Sequence, residues 1–180
     1  DNIVKKVSSI FLNQRYAGKI NYKPYFQRNY VWDEEKATYF IESILLGTEI
    51  PPLVLFQTKD KNEVIDGRQR YETIKRFLED KLVLKDKGLH SLKALSGKRY
   101  SQLDSDTREL FEDTRIRILQ FSVVDEPKLD EEKEEKIKKE IFRRYNSGIT
   151  PLQKYDIDRA AYINDLSLIH ISEPTRPEPI

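Results

Sequence analysis

The stretch that decides the fold is EVIDGRQRYETIKRFL, residues 63–78. It opens inside an apolar run, NEVID, that reads as a short strand and ends in Asp66-Gly67. From Arg68 onward the period changes. Tyr71, Ile74, Phe77 and Leu78 fall on one side of a helix, so the spacing predicts a helix over about Arg68 to Leu78. A strand that turned into a helix only for packing would have no use for Arg68 and Arg70 at a terminus whose dipole already repels cations. An anion is expected there.

Upstream, PLVLF (residues 52–56) reads as a second buried strand, joined to the first by a hairpin-like turn at Lys59 to Asn62. Further back, Asp33 has the form of an N-cap, with Glu34 and Glu35 in the first turn and Ala37, Phe40, Ile41, Ile44 and Leu45 on one apolar face. Gly47 is a natural stop for that helix. The preceding YKPYFQRNYVW contains proline and cannot be a regular helix. In the opening residues, Ile3, Val4, Val7, Ile10 and Phe11 have helix-like spacing, so a short amphipathic helix is expected, leading into an extended piece.

Downstream, residues 81–114 are mixed and polar until an expected helix from about Ser105 to Glu112. RIRILQFSVV, Arg115 to Val124, is the most strand-like run in the chain. The charged run that follows reads as a solvated helix with a core stripe of Ile137, Ile141 and Phe142. Asn146, Ser147 and Gly148 break it, and Thr150-Pro151 starts another helix toward Asn164. The sum is an α+β domain, a small mixed sheet with helices to either side.

The chain has 180 residues, enough for one well-buried domain, and its 38% hydrophobic content is that of a folded protein. Lys plus Arg (32) nearly balances Asp plus Glu (31), so there is no global basic field and any polyanion site must be local. The absence of cysteine excludes disulfides and thiolate metal sites and fits a reducing cytoplasm. No apolar stretch approaches the roughly 18 residues of a spanning helix, so no membrane partner is expected. The chain begins at Asp1, and LSLIHISEPTR, Leu166 to Arg176, has the look of a translated sequencing adapter. Residues 166–180 are therefore set apart as non-native, leaving a domain over 1–165 cut short on its C-terminal side, with His90 as its only histidine.

Three stretches could carry chemistry. At VIDGRQR, the backbone N–H groups of a helix entrance and a glycine are the means by which proteins cradle phosphate, and Arg68 and Arg70 add forked donors. Asp66 could hold a hydrated metal, bond a sugar hydroxyl or only cap the helix. Solvent-exposed arginines beside a capped helix are the plain alternative. In PYFQRNYVWDEE, Gln27 and Arg28 lie among Tyr25, Phe26, Tyr30 and the single tryptophan, Trp32. They read as a polar clamp on a base and phosphate, or as core filling with Arg28 stacked on Trp32. FRRYNSGITPL reads as ordinary turn chemistry when taken alone.

In this order and at these intervals, FQRNYVW, IPPLVLF, VIDGRQR and FRRYNSGITPL resemble the N-terminal domain of the GmrSD-type modification-dependent restriction enzymes. The resemblance spans nearly all of residues 3–165 and includes LSGKRYSQLDSDTRELFEDTRIRILQF. It implies a fold similar to the ParB and sulfiredoxin nucleotide-binding domains. The family's usual Asp-Gly-Gln-Gln-Arg turn, tied to nucleotide binding and hydrolysis, carries over onto Asp66, Gly67, Gln69 and Arg70, while Arg68 departs from the usual Gln. Gln27 and Arg28 match the family's Gln-Arg pair, and Asn146 with Gly148 its late Asn-containing turn. The resemblance thus implies one pocket. Asp66, Gln69 and Arg70 would be catalytic, and Gln27, Arg28, Gly67, Arg68 and Asn146 would bind nucleotide. A nucleoside triphosphate and Mg2+ would be the cofactors, with Asp66 the possible metal contact.

The implied role is a nucleotide-binding, NTP-hydrolysing regulatory domain of an anti-phage restriction system. It would act on modified DNA through an HNH-type nuclease domain in cis or in trans. This chain has no histidine and carboxylate cluster for such a nuclease and no P-loop. The rival reading is a ParB-like DNA-binding or nucleotide-gated scaffold without hydrolysis, which Arg68 in place of Gln favours. A protein-interaction domain with a decayed motif is a third.

Overall fold

The computed structural model describes residues 1–23, 29–123, 130–146 and 169–170. Its sheet contains β1 (Asn2–Lys6), β2 (Ile20–Asn21), β3 (Leu53–Gln57), β4 (Asn62–Asp66) and β5 (Arg115–Val123), in the order β1-β5-β3-β4-β2. β1 with β5 and β3 with β4 are antiparallel, whereas β3 with β5 and β2 with β4 are parallel, so the sheet is mixed as the sequence implies. A two-residue strand β6, Ile169–His170, pairs with Ser122 and Val123. It lies in the segment set apart above, and the five-stranded architecture does not depend on it.

The helices are α1 (Gln14–Ala17), α2 (Glu34–Leu45), α3 (Arg68–Leu78), α4 (Ser105–Asp113) and α5 (Glu131–Asn146). Side chains alternate across a strand, and the two resulting faces explain the uninterrupted apolar run of β3. Leu53 and Leu55 join Val64, Ile116 and Ile118 in a core shared with α2 and α3. Val54 and Phe56 face the other way and join Ile65, Phe121, Ile137 and Ile141 under α5. A strand buried on both faces needs no polar positions.

Asp33 caps α2 as expected, its Oδ1 accepting from the Lys36 N–H at 2.7 Å. Gly47, at φ +68, takes up the left-handed conformation just past its end. The turn between β3 and β4 closes through the Thr58 N–H on the Lys61 carbonyl, 2.8 Å. Helix α5 runs along β4, and its Ile137 and Ile141 are buried as the stripe predicts.

The opening segment corrects the sequence reading. Residues 2–6 are a strand, not a helix, and helical turns begin only at Ser8–Leu12, a π-helical turn, and at α1. The helix-like spacing of Ile3, Val7 and Ile10 competes with an alternation in which Ile3 and Lys5 are half-buried and Asn2, Val4 and Lys6 exposed. The open edge of β5 decides for the strand, because its backbone groups need partners and Ile3 and Val4 are β-branched. The expected helix from Thr150 toward Asn164 lies outside the described residues.

Candidate anion site at the Asp66 turn

β4 carries one residue more than its partner just before the turn. Leu55 lies opposite Val64 and Val54 opposite Asp66, leaving Ile65 as a bulge. Such a bulge bends a strand end and re-aims the residue that follows it. Asp66 is thereby delivered to the mouth of α3. Gly67 comes next at φ +91, ψ 14, the left-handed region. A Cβ there would sit 2.6 Å from Leu53 Cδ2 and 2.9 Å from Arg70 Nη2, so only glycine allows this approach.

The space is used by Arg70. Its Nη2 donates to Asp66 Oδ2 at 2.9 Å and to the Pro52 carbonyl at 3.0 Å, which lays the guanidinium across Gly67. Asp66 offsets the unfavourable placement of a cation at a helix N-terminus. Arg70 Nε is buried and has no hydrogen-bond acceptor among the described residues. A buried donor without an acceptor is costly. The amides of Arg68, Gln69 and Arg70 open the same helix, where N–H groups lack intrahelical acceptors.

Arg68 turns back along α3 rather than outward. It is 7% exposed, with Nε 3.6 Å from Glu72 Oε2. Gln69 has a different job. Its Oε1 accepts from the N–H groups of Val31 (2.9 Å) and Trp32 (3.3 Å), and its Nε2 donates to the Asn29 carbonyl at 3.1 Å. It latches residues 29–32 onto α3. Two more contacts follow the same line: Tyr30 OH meets Thr73 Oγ1 at 2.9 Å, and Arg76 lies 4.7 Å over the Tyr30 ring. Trp32 packs edge-on against Phe40 with Lys36 over its face. For Tyr30 and Trp32, packing is therefore what the described residues display.

Gln27 and Arg28 lie outside the described residues. They precede the latched segment directly in the sequence. Asn146 is the last residue of α5, and Tyr145 before it is half-buried against Phe121. Burial raises the pKa of the Tyr145 phenol, and the charge of Asp66 raises it further. Sequence reading passed over Tyr145, although it extends the stripe of Ile137 and Ile141 by one more step of four.

Among the described residues no group of three or more acidic, histidine or cysteine side chains could hold a metal. A metal at this turn would rest on Asp66 and on the ligand's own phosphates, an arrangement that suits Mg2+. His90 is exposed in a loop, edge-on to Tyr39, and takes no part.

These features define an α+β domain with an arginine-bearing turn between a sheet strand and a helix. Over residues 7–163 the chain matches the GmrSD restriction endonuclease N-terminal domain, and it belongs to that family. No curated protein and no solved structure matched it. The family is the N-terminal domain of a restriction endonuclease, a class of enzyme that acts on DNA. No helix among the described residues is long and apolar enough to cross a membrane.

Proposed function

We propose that this domain binds a nucleoside triphosphate at the Asp66 turn and serves as the regulatory, NTP-hydrolysing part of a cytoplasmic restriction system. Modified DNA would be cut by a separate HNH-type nuclease domain. Kinship with ParB-type nucleotide-binding domains belongs to the same proposal. The observation that carries it is the Arg70 fork, preset across a left-handed Gly67 by Asp66 and the Pro52 carbonyl.

In this reading Arg70 takes phosphate charge, and the amides opening α3 add donors that need no reorganisation. Asp66 holds the fork in place before the ligand arrives and offers a carboxylate to Mg2+. The family resemblance assigns Gln27, Arg28 and Asn146 to the rest of the pocket, and Arg68 would have to leave its contact with Glu72 to join them. A bound triphosphate with Mg2+ supplies the phosphoanhydride bond and the charge shielding that hydrolysis needs.

One observation favours the second reading, a nucleotide-gated scaffold without turnover. The Gln69 carboxamide spends its oxygen and its nitrogen on the backbone of residues 29–32. In that state it holds residues 29–32 and does not orient a water.

Calorimetric titration of the chain with GTP, UTP, CTP and ATP in Mg2+, beside Arg70→Ala, tests the proposal. Binding by the wild type that is lost in a folded Arg70→Ala variant is the expected result. Equal binding by both proteins, or none by the wild type, overturns it. Phosphate release then separates hydrolysis from gating.

A further inference from the structure

Residues 2–32 contain Lys5, Lys6, Arg15, Lys19, Lys23 and Arg28 and not one Asp or Glu, in a chain whose overall charge is +1. Tertiary structure gathers part of this run beside a row of rings. Lys5 Nζ lies 4.9 Å over the Tyr16 ring, and Lys23 Nζ lies 5.3 Å over Tyr22. Between them Tyr71 is the link. Its ring is 5.1 Å from Tyr22 and 4.6 Å from Phe11, and its phenol is held high first by burial and then by the charges of Tyr22 and Tyr16.

Arg15 is on α1, one residue before Tyr16, and Lys19 leads into β2. The Lys19 carbonyl accepts from the Asn62 N–H at 2.8 Å, which brings exposed Lys61 alongside. Arg15, Lys19 and Lys23 are exposed and Lys5 half-buried. None of these four makes an ion pair with a described carboxylate. By contrast Lys6 pairs with Asp113, and the loop lysines Lys85, Lys87 and Lys93 all have acidic partners.

We infer that this face, with Lys5, Arg15, Lys19 and Lys23 around Tyr16 and Tyr22, is a docking surface for the phosphate backbone of duplex DNA. Cations left without carboxylates, spread over three elements, match a polyanion rather than a point charge. Tyrosine rings beneath the ammonium groups hold them extended without neutralising them. The surface is distinct from the Asp66 turn, whose arginines are engaged with Asp66 and Glu72. The inference deepens the functional reading above, since it takes DNA as the target, but it does not require nucleotide binding.

The test is fluorescence anisotropy of a labelled duplex of about 20 base pairs, with salt varied from about 50 to about 200 mM. Two double variants of the chain are compared, Lys5→Gln/Arg15→Gln and Lys19→Gln/Lys23→Gln, with Lys87→Gln/Lys93→Gln as control. Each test pair should flatten the slope of log K against log salt by about 2, at roughly 0.9 per lost phosphate contact. The control should leave it unchanged, and both test variants should keep the wild-type nucleotide titration. The duplex titration is run without nucleotide, so failure of the nucleotide site leaves this result intact. The inference is overturned if the wild type does not bind the duplex, or if the control flattens the slope as much as the test pairs.

Discussion

Arg70 Nη2 and Asp66 Oδ2 are 2.9 Å apart, one helical turn from each other in sequence, and Gly67 lies beneath the bridge. The pair fixes the direction of a fork that would otherwise swing away from a positive helix terminus. Asp66→Asn keeps the shape and removes the charge. We expect it to weaken nucleotide binding less than Arg70→Ala while leaving the far-ultraviolet spectrum unchanged. Loss of binding in Asp66→Asn as complete as in Arg70→Ala would mean the carboxylate contacts the ligand's metal rather than only holding the fork.

Gly67→Ala meets two obstacles, a left-handed backbone and a Cβ 2.6 Å from Leu53 Cδ2. We expect about 1–3 kcal/mol of destabilisation in urea titration, the range for such backbone strain. A variant as stable as the wild type would show that the turn relaxes at no cost.

Gln69→Ala removes the latch on residues 29–32. The N–H groups of Val31 and Trp32 lose their acceptor, and their amide hydrogen exchange should accelerate about five- to thirtyfold, matching a loss of about 1–2 kcal/mol. Unchanged exchange at both amides would show that Tyr30 and Trp32 hold the segment without it.

Glu42 is 2% exposed, and its carboxylate accepts from the N–H groups of His90, Ser91 and Leu92. Burial pushes its pKa up, but the hydrogen bonds from Leu92, His90 and Ser91 win and hold it below the ordinary value. A depressed folded-state pKa stabilises the fold above the unfolded value, about 4.3, and that stability is lost as pH falls through the folded pKa. Glu42→Gln should therefore cost stability at pH 7 and flatten the acid limb of the stability curve. Parallel acid limbs in the two proteins would contradict this.

Lys138 is 3% exposed in its side chain and bridges Glu63 of β4 at 2.8 Å, with Glu134 and Glu135 beside it. Burial pulls its pKa down, but the hydrogen bonds to Glu134, Glu63 and Glu135 outweigh this and raise it, so the ammonium stays charged. Lys138→Met removes the cation shared by Glu63, Glu134 and Glu135. We expect a loss of about 2–3 kcal/mol, below the figure for fully buried pairs because Glu134 and Glu135 are partly solvated. Acidification should partly restore stability in the variant, and a pH-independent difference would rule out the charge argument.

Much of this protein was legible in the chain because the deciding signals are local. Asp33 caps α2 through its own side chain, the switch of period at Gly67 sets β4 against α3, and the stripe at Ile137 and Ile141 fixes the inner face of α5. The family followed from four short motifs and their order. The start of the chain was not legible, because Ile3 and Val4 suit either period until the edge of β5, more than a hundred residues away, offers them partners. Nor could the sequence separate the work of Arg68, Gln69 and Arg70, three adjacent polar residues. Their directions depend on which face of α3 meets Pro52, which meets residues 29–32 and which follows the helix to Glu72. Residue type and spacing determined the elements from α2 to α5 and the turn at Gly67. Only long-range packing decided that Arg70 spans the glycine, that Gln69 is spent on the backbone, and that Lys5 of the first strand lies over the Tyr16 ring.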